Sequence, residues 1–219
     1  MLNTIIFLGL FLFFYFITNV AASYILILNI FNNTEVLGSV AIELSFLFSV
    51  FSYLIFIKKM RSGFSKELFL SKNGISTKNL LMGIAIFLTI ILFELFISSL
   101  SVVTNSNITG NSTVVYQNAP APPPVWFYIF VSVIAPIIEE ITFRGLFVKR
   151  IGIIPSAVIF ALLHSGYAGS INSLSFLTLL SAALIFGILS GYALKKTKSL
   201  YPSIVAHILV NTIASIPFL

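Results

Sequence analysis

The chain of 219 residues contains no cysteine and no aspartate, and only 8% of its residues are charged. Without cysteine, disulfide bonds and thiolate catalysis are excluded, and the redox compartment cannot be inferred. A soluble domain carries about 25% charged residues, whereas 58% of this chain is hydrophobic. Because no soluble fold of this length can bury so much Phe, Ile and Leu, the apolar surface is expected to face lipid.

Long apolar runs divide the sequence into segments that can cross a membrane, since a bilayer core needs about 20 apolar residues per helix. The predicted fold is therefore all-α, a polytopic membrane helix bundle with about seven transmembrane helices. We interpret residues 1–219 as a single integral membrane domain, with three N-terminal spans in 1–103, a polar Pro-rich external loop in 104–124 and a four-helix core in 125–219. The predicted spans are Leu2–Asn29, Val36–Ile57, Asn79–Val103, Val125–Val148, Ile153–Tyr167, Asn172–Leu194 and Leu200–Leu219.

The basic residues predict the orientation of these spans. Apart from Arg144, they occupy the loops after the second, fourth and sixth spans. Lys and Arg accumulate on the cytoplasmic side of membrane proteins, so the N-terminus and the basic loops are predicted to be cytoplasmic. Eleven of the twelve basic residues lie in these short loops, which argues against nucleic acid as a partner and leaves membrane lipid. The loop residues are Lys58, Lys59, Arg61, Lys66, Lys72, Lys78, Lys149, Arg150, Lys195, Lys196 and Lys198.

Several polar side chains lie inside the predicted spans, where an ionisable group costs at least about 2.5–3.5 kcal/mol and is a functional candidate by default. In the fourth span, Glu140 and Arg144 are four residues apart, which places them on one helix face as an ion pair. Glu139 points about 100° away and has no such local partner. One glutamate is thus predicted to be structural and the other free for chemistry.

The polar groups of the C-terminal spans also agree in depth. Counted from the cytoplasmic helix ends, at about 1.5 Å per residue, Glu139, His164, His207 and Asn211 lie roughly 12–18 Å deep. By the same count Glu43 and Glu94 lie nearer the external face, and we expected neither to act directly. Pro136 removes a backbone hydrogen bond just before the glutamates, which predicts a kink there.

A carboxylate with imidazoles can bind a divalent metal, or can activate water directly as general base and acid. A second His with an Asn can donate hydrogen bonds to an oxyanion. These are the parts of a hydrolase that acts on an amide or ester. The alternative is a buried network that only fixes helix packing.

The arrangement resembles the CPBP/Abi family, which includes the type II CAAX prenyl endopeptidases. The family motifs E-E-x-x-x-R, F-x-x-x-H and H-x-x-x-N are matched in order within apolar helices. They are matched by Glu139, Glu140 and Arg144, by Phe160 and His164, and by His207 and Asn211. The match covers roughly residues 125–219, under half of the chain.

The resemblance implies an intramembrane protease, a CAAX prenyl protease-like hydrolase whose catalytic core is 125–219. Glu139 would activate water, helped by His164, and His207 and Asn211 would stabilise the oxyanion. Glu140, Arg144 and Phe160 would give structural support. The cofactor is unknown: Glu139, His164 and His207 can supply ligands for a divalent metal such as zinc, and a metal-free mechanism is the other reading.

Other functions remain open at the level of the sequence. The implied substrate is a membrane-associated peptide, either prenylated and of the CAAX type or another membrane peptide. An alternative is a non-catalytic membrane scaffold or a peptide-binding protein of the immunity type. A small transporter is less consistent with the sequence, because the polar groups form a layer rather than a path across the membrane.

Overall fold

A computed structural model of the chain describes residues 2–27, 34–60, 76–104, 125–165 and 174–216. These residues form seven helices and no strand, so the predicted all-helical bundle is confirmed. The helices are α1 (Leu2–Ile27), α2 (Thr34–Met60), α3 (Thr77–Thr104), α4 (Val125–Ile151), α5 (Ile153–Ser165), α6 (Leu174–Thr197) and α7 (Tyr201–Ser215). The predicted external loop, apart from Thr104, lies outside the described residues.

Four of the helices are long and apolar enough to cross a membrane: α1, α3, α4 and α6. Helices α2 and α5 contribute shorter apolar stretches, at Val40–Tyr53 and Ile153–His164. The chain is thus a helical membrane protein, and the number of seven spans stays a prediction. Large apolar side chains such as Phe16 and Leu92 are 68% and 65% exposed, which suits a surface covered by lipid.

Helix α4 lies at the centre of the bundle. In the most apolar 18-residue stretch of α4, 44% of the residues are buried inside the bundle, whereas 17% are buried in the corresponding stretches of α1 and α3. A series of packed aromatic rings joins it to its neighbours. Phe11 of α1 stacks on Phe46 of α2 at 5.5 Å, Phe46 meets Phe143 of α4 at 5.3 Å, and Phe143 meets Phe160 of α5 at 5.1 Å.

Helix α4 departs from α-helical geometry twice, with π-helical turns at Phe130–Ile134 and Ile141–Phe147. Such wide turns are frequent at functional sites. The first precedes Pro136, and the two enclose the short α-helical segment that carries both glutamates. Helix α4 ends at Gly152, whose φ of 93° is readily adopted only by glycine and turns the chain into α5.

Two glycines let α6 approach α5 closely. A Cβ atom added at Gly187 would lie 2.7 Å from Cβ of Ala157, and one at Gly191 would lie 2.7 Å from Cγ2 of Ile153. Small residues four apart permit this kind of contact between membrane helices. This close contact fixes the position of α5, which carries His164.

Candidate active site

Three side chains from three helices converge on one point. Nε2 of His164 lies 3.2 Å from Oε2 of Glu139, and Nε2 of His207 lies 3.7 Å from the same oxygen. Glu139 and His207 are buried, and His164 is half-buried. The structure therefore brings together the carboxylate and both imidazoles that the sequence placed at one depth.

The outer nitrogen of each imidazole has a hydrogen-bond partner. Nδ1 of His164 lies 2.9 Å from the carbonyl oxygen of Phe160, one turn earlier in α5. Nδ1 of His207 lies 3.0 Å from Oε1 of Glu140. Both partners are acceptors, so each Nδ1 carries a hydrogen, and Nε2 of each ring faces Glu139.

Glu140 has two contacts, one more than its spacing in the sequence predicted. Its Oε2 lies 3.1 Å from Nε of Arg144, and both side chains are buried, so the predicted ion pair is confirmed. The same carboxylate accepts the hydrogen bond from His207. Glu140 therefore orients an imidazole of the site as well as neutralising Arg144.

Aromatic rings surround the guanidinium of Arg144. Its Cζ lies 4.2 Å from the ring centroid of Phe160 and 5.0 Å from that of Phe186. Phe186 also packs on His207 with ring centroids 4.7 Å apart. Among the described residues, Nη1 and Nη2 of Arg144 have no hydrogen-bond partner, so the ring faces and Glu140 hold this cation. Cation–π contacts of this kind strengthen when they are desolvated.

The three convergent groups also fit a metal ion. Glu139, His164 and His207 can each offer one ligand atom, and these atoms lie within 4.8 Å of one another. Two imidazole nitrogens and one carboxylate oxygen form a ligand set found in catalytic zinc sites, which keep a further position for water. The hydrogen bonds at both Nδ1 atoms are the outer contacts that orient ligating histidines.

Asn211 lies on α7 one turn beyond His207, and its amide contacts the backbone of α4. Its Nδ2 donates a 2.9 Å hydrogen bond to the carbonyl oxygen of Val131. In the first π-helical turn, the backbone N–H of Ala135 donates a hydrogen bond to the carbonyl oxygen of Phe130, five residues earlier. In the same register the carbonyl oxygen of Val131 would accept a hydrogen bond from residue 136, but this residue is proline and has no N–H. Asn211 thus satisfies the carbonyl that Pro136 leaves free, and its oxyanion role stays a prediction.

We expect Asn211→Ala to lower the free energy of unfolding by about 1–3 kcal/mol, because it leaves a carbonyl without its donor. Thermal unfolding of the detergent-solubilised protein measures this loss. Pro136→Ala restores a backbone N–H at the position that faces Val131, so the double variant should recover part of the stability. If the effects of Pro136→Ala and Asn211→Ala on the free energy of unfolding were strictly additive, the Asn211 amide would not be replacing the missing N–H of Pro136.

One residue of the site was missed in the sequence. Glu43 of α2 is 6% exposed, and its carboxyl group is hydrogen-bonded to that of Glu139. The depth count that placed Glu43 nearer the external face is therefore wrong, because it assumes helices of equal tilt that end at one level. Glu94, by contrast, lies on an exposed face of α3. No local pattern around Glu43 indicated its partner.

Comparison with known proteins supports the family resemblance for the C-terminal part of the chain. Residues 121–213 match the sequence model of the family described as type II CAAX prenyl endopeptidase Rce1-like. These residues are an Rce1-like domain. The resemblance drawn from the three motifs is thereby confirmed. No curated protein and no solved structure matches the chain.

The Rce1-like domain contains the motif residues and α4 to α7, apart from the last residues of α7. Helices α1 to α3 precede the matched residues. Glu43, on α2, therefore reaches the domain from outside it. The family is a protease family, which supports a hydrolase.

Proposed function

We propose that the protein is an intramembrane endopeptidase that hydrolyses a peptide bond of a membrane-associated substrate, with Glu139 and the two histidines activating water. The observation that carries the proposal is the convergence of both imidazole Nε2 atoms on Oε2 of Glu139 inside a helical bundle. Two imidazole nitrogens and one carboxylate oxygen that face a single point can hold a water molecule or a metal between them, which a hydrolytic site requires.

Glu139 acts as the general base in this proposal. It takes a proton from a water molecule while the water oxygen attacks the peptide carbonyl, and the proton then passes to the leaving amine. His164 faces the same carboxylate oxygen and is held by Phe160, so it orients the water and relays its proton. The peptide C–N bond breaks, and one water is consumed for each bond.

His207 serves the developing oxyanion. Its Nδ1 hydrogen is held by Glu140, which fixes the ring with Nε2 toward the site, so a proton taken up at Nε2 during the reaction can be donated to the oxyanion. Such a preoriented donor in a dry site stabilises the tetrahedral oxyanion. Asn211 can contribute its second N–H, since Val131 uses only one of the two.

A divalent metal is the other reading of the same three groups. Glu139, His164 and His207 would hold it, and it would supply a Lewis acid that lowers the pKa of water and polarises the carbonyl. The metal content of the purified protein, with His164→Ala as the comparison, distinguishes the two readings.

The substrate that fits best is a lipidated peptide of the CAAX type. The site lies among apolar helices, and the Rce1-like family is a prenyl endopeptidase family. We expect the purified protein to release the last three residues of a farnesylated CAAX peptide, as detected by mass spectrometry. Binding of the peptide without cleavage would favour a scaffold instead. Cleavage of an unlipidated membrane peptide alone would retain the protease and exclude the prenylated substrate.

The basic loops are proposed to face the cytoplasm, with the site opening to that side. Because the chain has no cysteine, single cysteines can be introduced without a background. In right-side-out cells, Asn107→Cys should react with a membrane-impermeant maleimide, and Lys198→Cys should react only after permeabilisation. The opposite labelling pattern would invert the topology.

A further inference from the structure

Glu43 belongs to a helix that precedes the Rce1-like domain, yet it reaches the centre of the site. Helix α2 packs against the segment Ala135–Glu140, and the carboxyl group of Glu43 is hydrogen-bonded to that of Glu139. Two other buried polar residues of α2, Ser45 and Ser49, donate to carbonyls of their own helix. Glu43 instead directs its carboxyl group across the helix interface.

The free-energy cost of burying the Glu43 carboxyl group indicates a functional role for this residue. A carboxyl group within a membrane span is unfavourable by some kcal/mol, and such residues mark functional sites by default. Glu43 forms no ion pair among the described residues, and its Oε2 has no hydrogen-bond partner there. Leucine would fill the same space at lower cost, so packing alone does not explain a glutamate here.

The chemistry of the contact suggests how Glu43 acts. A hydrogen bond between two carboxyl groups needs one O–H donor, and this bond fixes the rotation of both groups. Oε2 of Glu139 is the atom that faces His164 and His207. A bond from α2 therefore holds Glu139 turned toward the imidazoles and limits its other rotamers.

We propose that Glu43 is a positioning residue of the active site, which holds the Glu139 carboxylate in its reactive orientation through a hydrogen bond from outside the Rce1-like domain. This inference rests on the proposed function, because the effect of orientation is measured by catalysis. A side chain without a hydrogen-bond donor at position 43 should no longer orient Glu139. A carboxamide can replace the carboxyl group of Glu43, because its N–H donates to the Glu139 carboxylate.

The test compares Glu43→Leu with Glu43→Gln in peptide cleavage by the full-length protein. We expect Glu43→Leu to lower kcat by about 10–100-fold, as loss of an orienting outer contact does, with KM unchanged. Glu43→Gln should recover most of kcat. Glu94→Leu is the matched control, since it removes an intramembrane glutamate from an exposed face of α3 and should leave kcat unchanged.

A double-mutant cycle tests the contact itself without substrate. The thermal stability effects of Glu43→Leu and Glu139→Leu should be non-additive, whereas Glu94→Leu and Glu139→Leu, which share no contact, should add. Additivity for both pairs would overturn the inference even if the enzyme were active.

The outcomes separate this inference from the proposed function. If the wild type cleaves the peptide, Glu139→Gln does not, and Glu43→Leu keeps full kcat, only the role of Glu43 is wrong. A Glu43→Gln variant as impaired as Glu43→Leu would also overturn it, since the donor would not be what matters. If the wild type cleaves no peptide bond, both proposals fail together.

Discussion

We expect the replacement of Glu139 with glutamine to lower kcat by about 10²–10⁴-fold, the usual contribution of a general base. Glutamine keeps the size of the side chain and its ability to accept a hydrogen bond, but it cannot take a proton from water. Glu139 contacts both imidazoles through one oxygen, so no neighbouring carboxylate occupies the same place. Single-turnover cleavage of the lipidated peptide measures the effect.

Two comparisons support the assignment of this loss to chemistry. Glu139→Gln should keep the thermal stability of the wild type within a few degrees, because the substitution removes a buried charge and no packing volume. Glu94→Gln should retain full activity, since that glutamate lies on an exposed face of α3. Undiminished cleavage by Glu139→Gln would remove Glu139 from the mechanism.

The largest stability effect is expected for Arg144→Ala, which leaves the carboxylate of Glu140 buried without its cation. Breaking a buried ion pair from one side costs about 3–5 kcal/mol. The substitution also empties the space between Phe160 and Phe186, whose ring faces lie 4.2 Å and 5.0 Å from the guanidinium. The protein should accumulate poorly and unfold at a lower temperature, as measured by expression level and thermal scanning in detergent.

A paired substitution separates stability from catalysis at this position. Glu140→Met with Arg144→Met removes both charges, and replacing a buried pair with apolar side chains of similar volume is often tolerated. Its stability should recover relative to Arg144→Ala. Its activity should stay low, because His207 loses the carboxylate that orients its Nδ1. Recovery of both properties would mean that Glu140 only neutralises Arg144.

The positions of the helices could be predicted because each helix corresponds to a long run of apolar residues in the sequence. The start of α4 at Val125 and that of α5 at Ile153 were predicted at those residues. The Glu140–Arg144 pair followed from helical spacing alone. The meeting of Glu139 with His164 and His207 followed from a common depth, which works when neighbouring helices begin at similar levels.

What could not be predicted depends on contacts between helices distant in sequence. The bond between His207 and Glu140 joins residues 67 apart, and spacing within one helix carries no information about it. Glu43 reaches Glu139 because of how α2 lies against α4, which depth counting ignores. The bond from Asn211 to Val131 depends on a π-helical register, and hydropathy does not distinguish that register from an α-helical one.

The second π-helical turn of α4, Ile141–Phe147, also affects how this helix can change in evolution. A π turn arises when one residue is inserted into a continuous α-helix, so deleting one residue there restores the α-helix without breaking it. Because the wide turn holds the extra residue locally, the segment after the deletion would keep its face, and Arg150 would stay over the rings of Tyr53 and Phe7, which are 4.3 Å and 5.3 Å from its guanidinium. A one-residue deletion in this stretch is therefore absorbed within the turn, so homologues that differ by one residue here are expected to keep the contacts of α4 with α1 and α2 without compensating changes on those two helices.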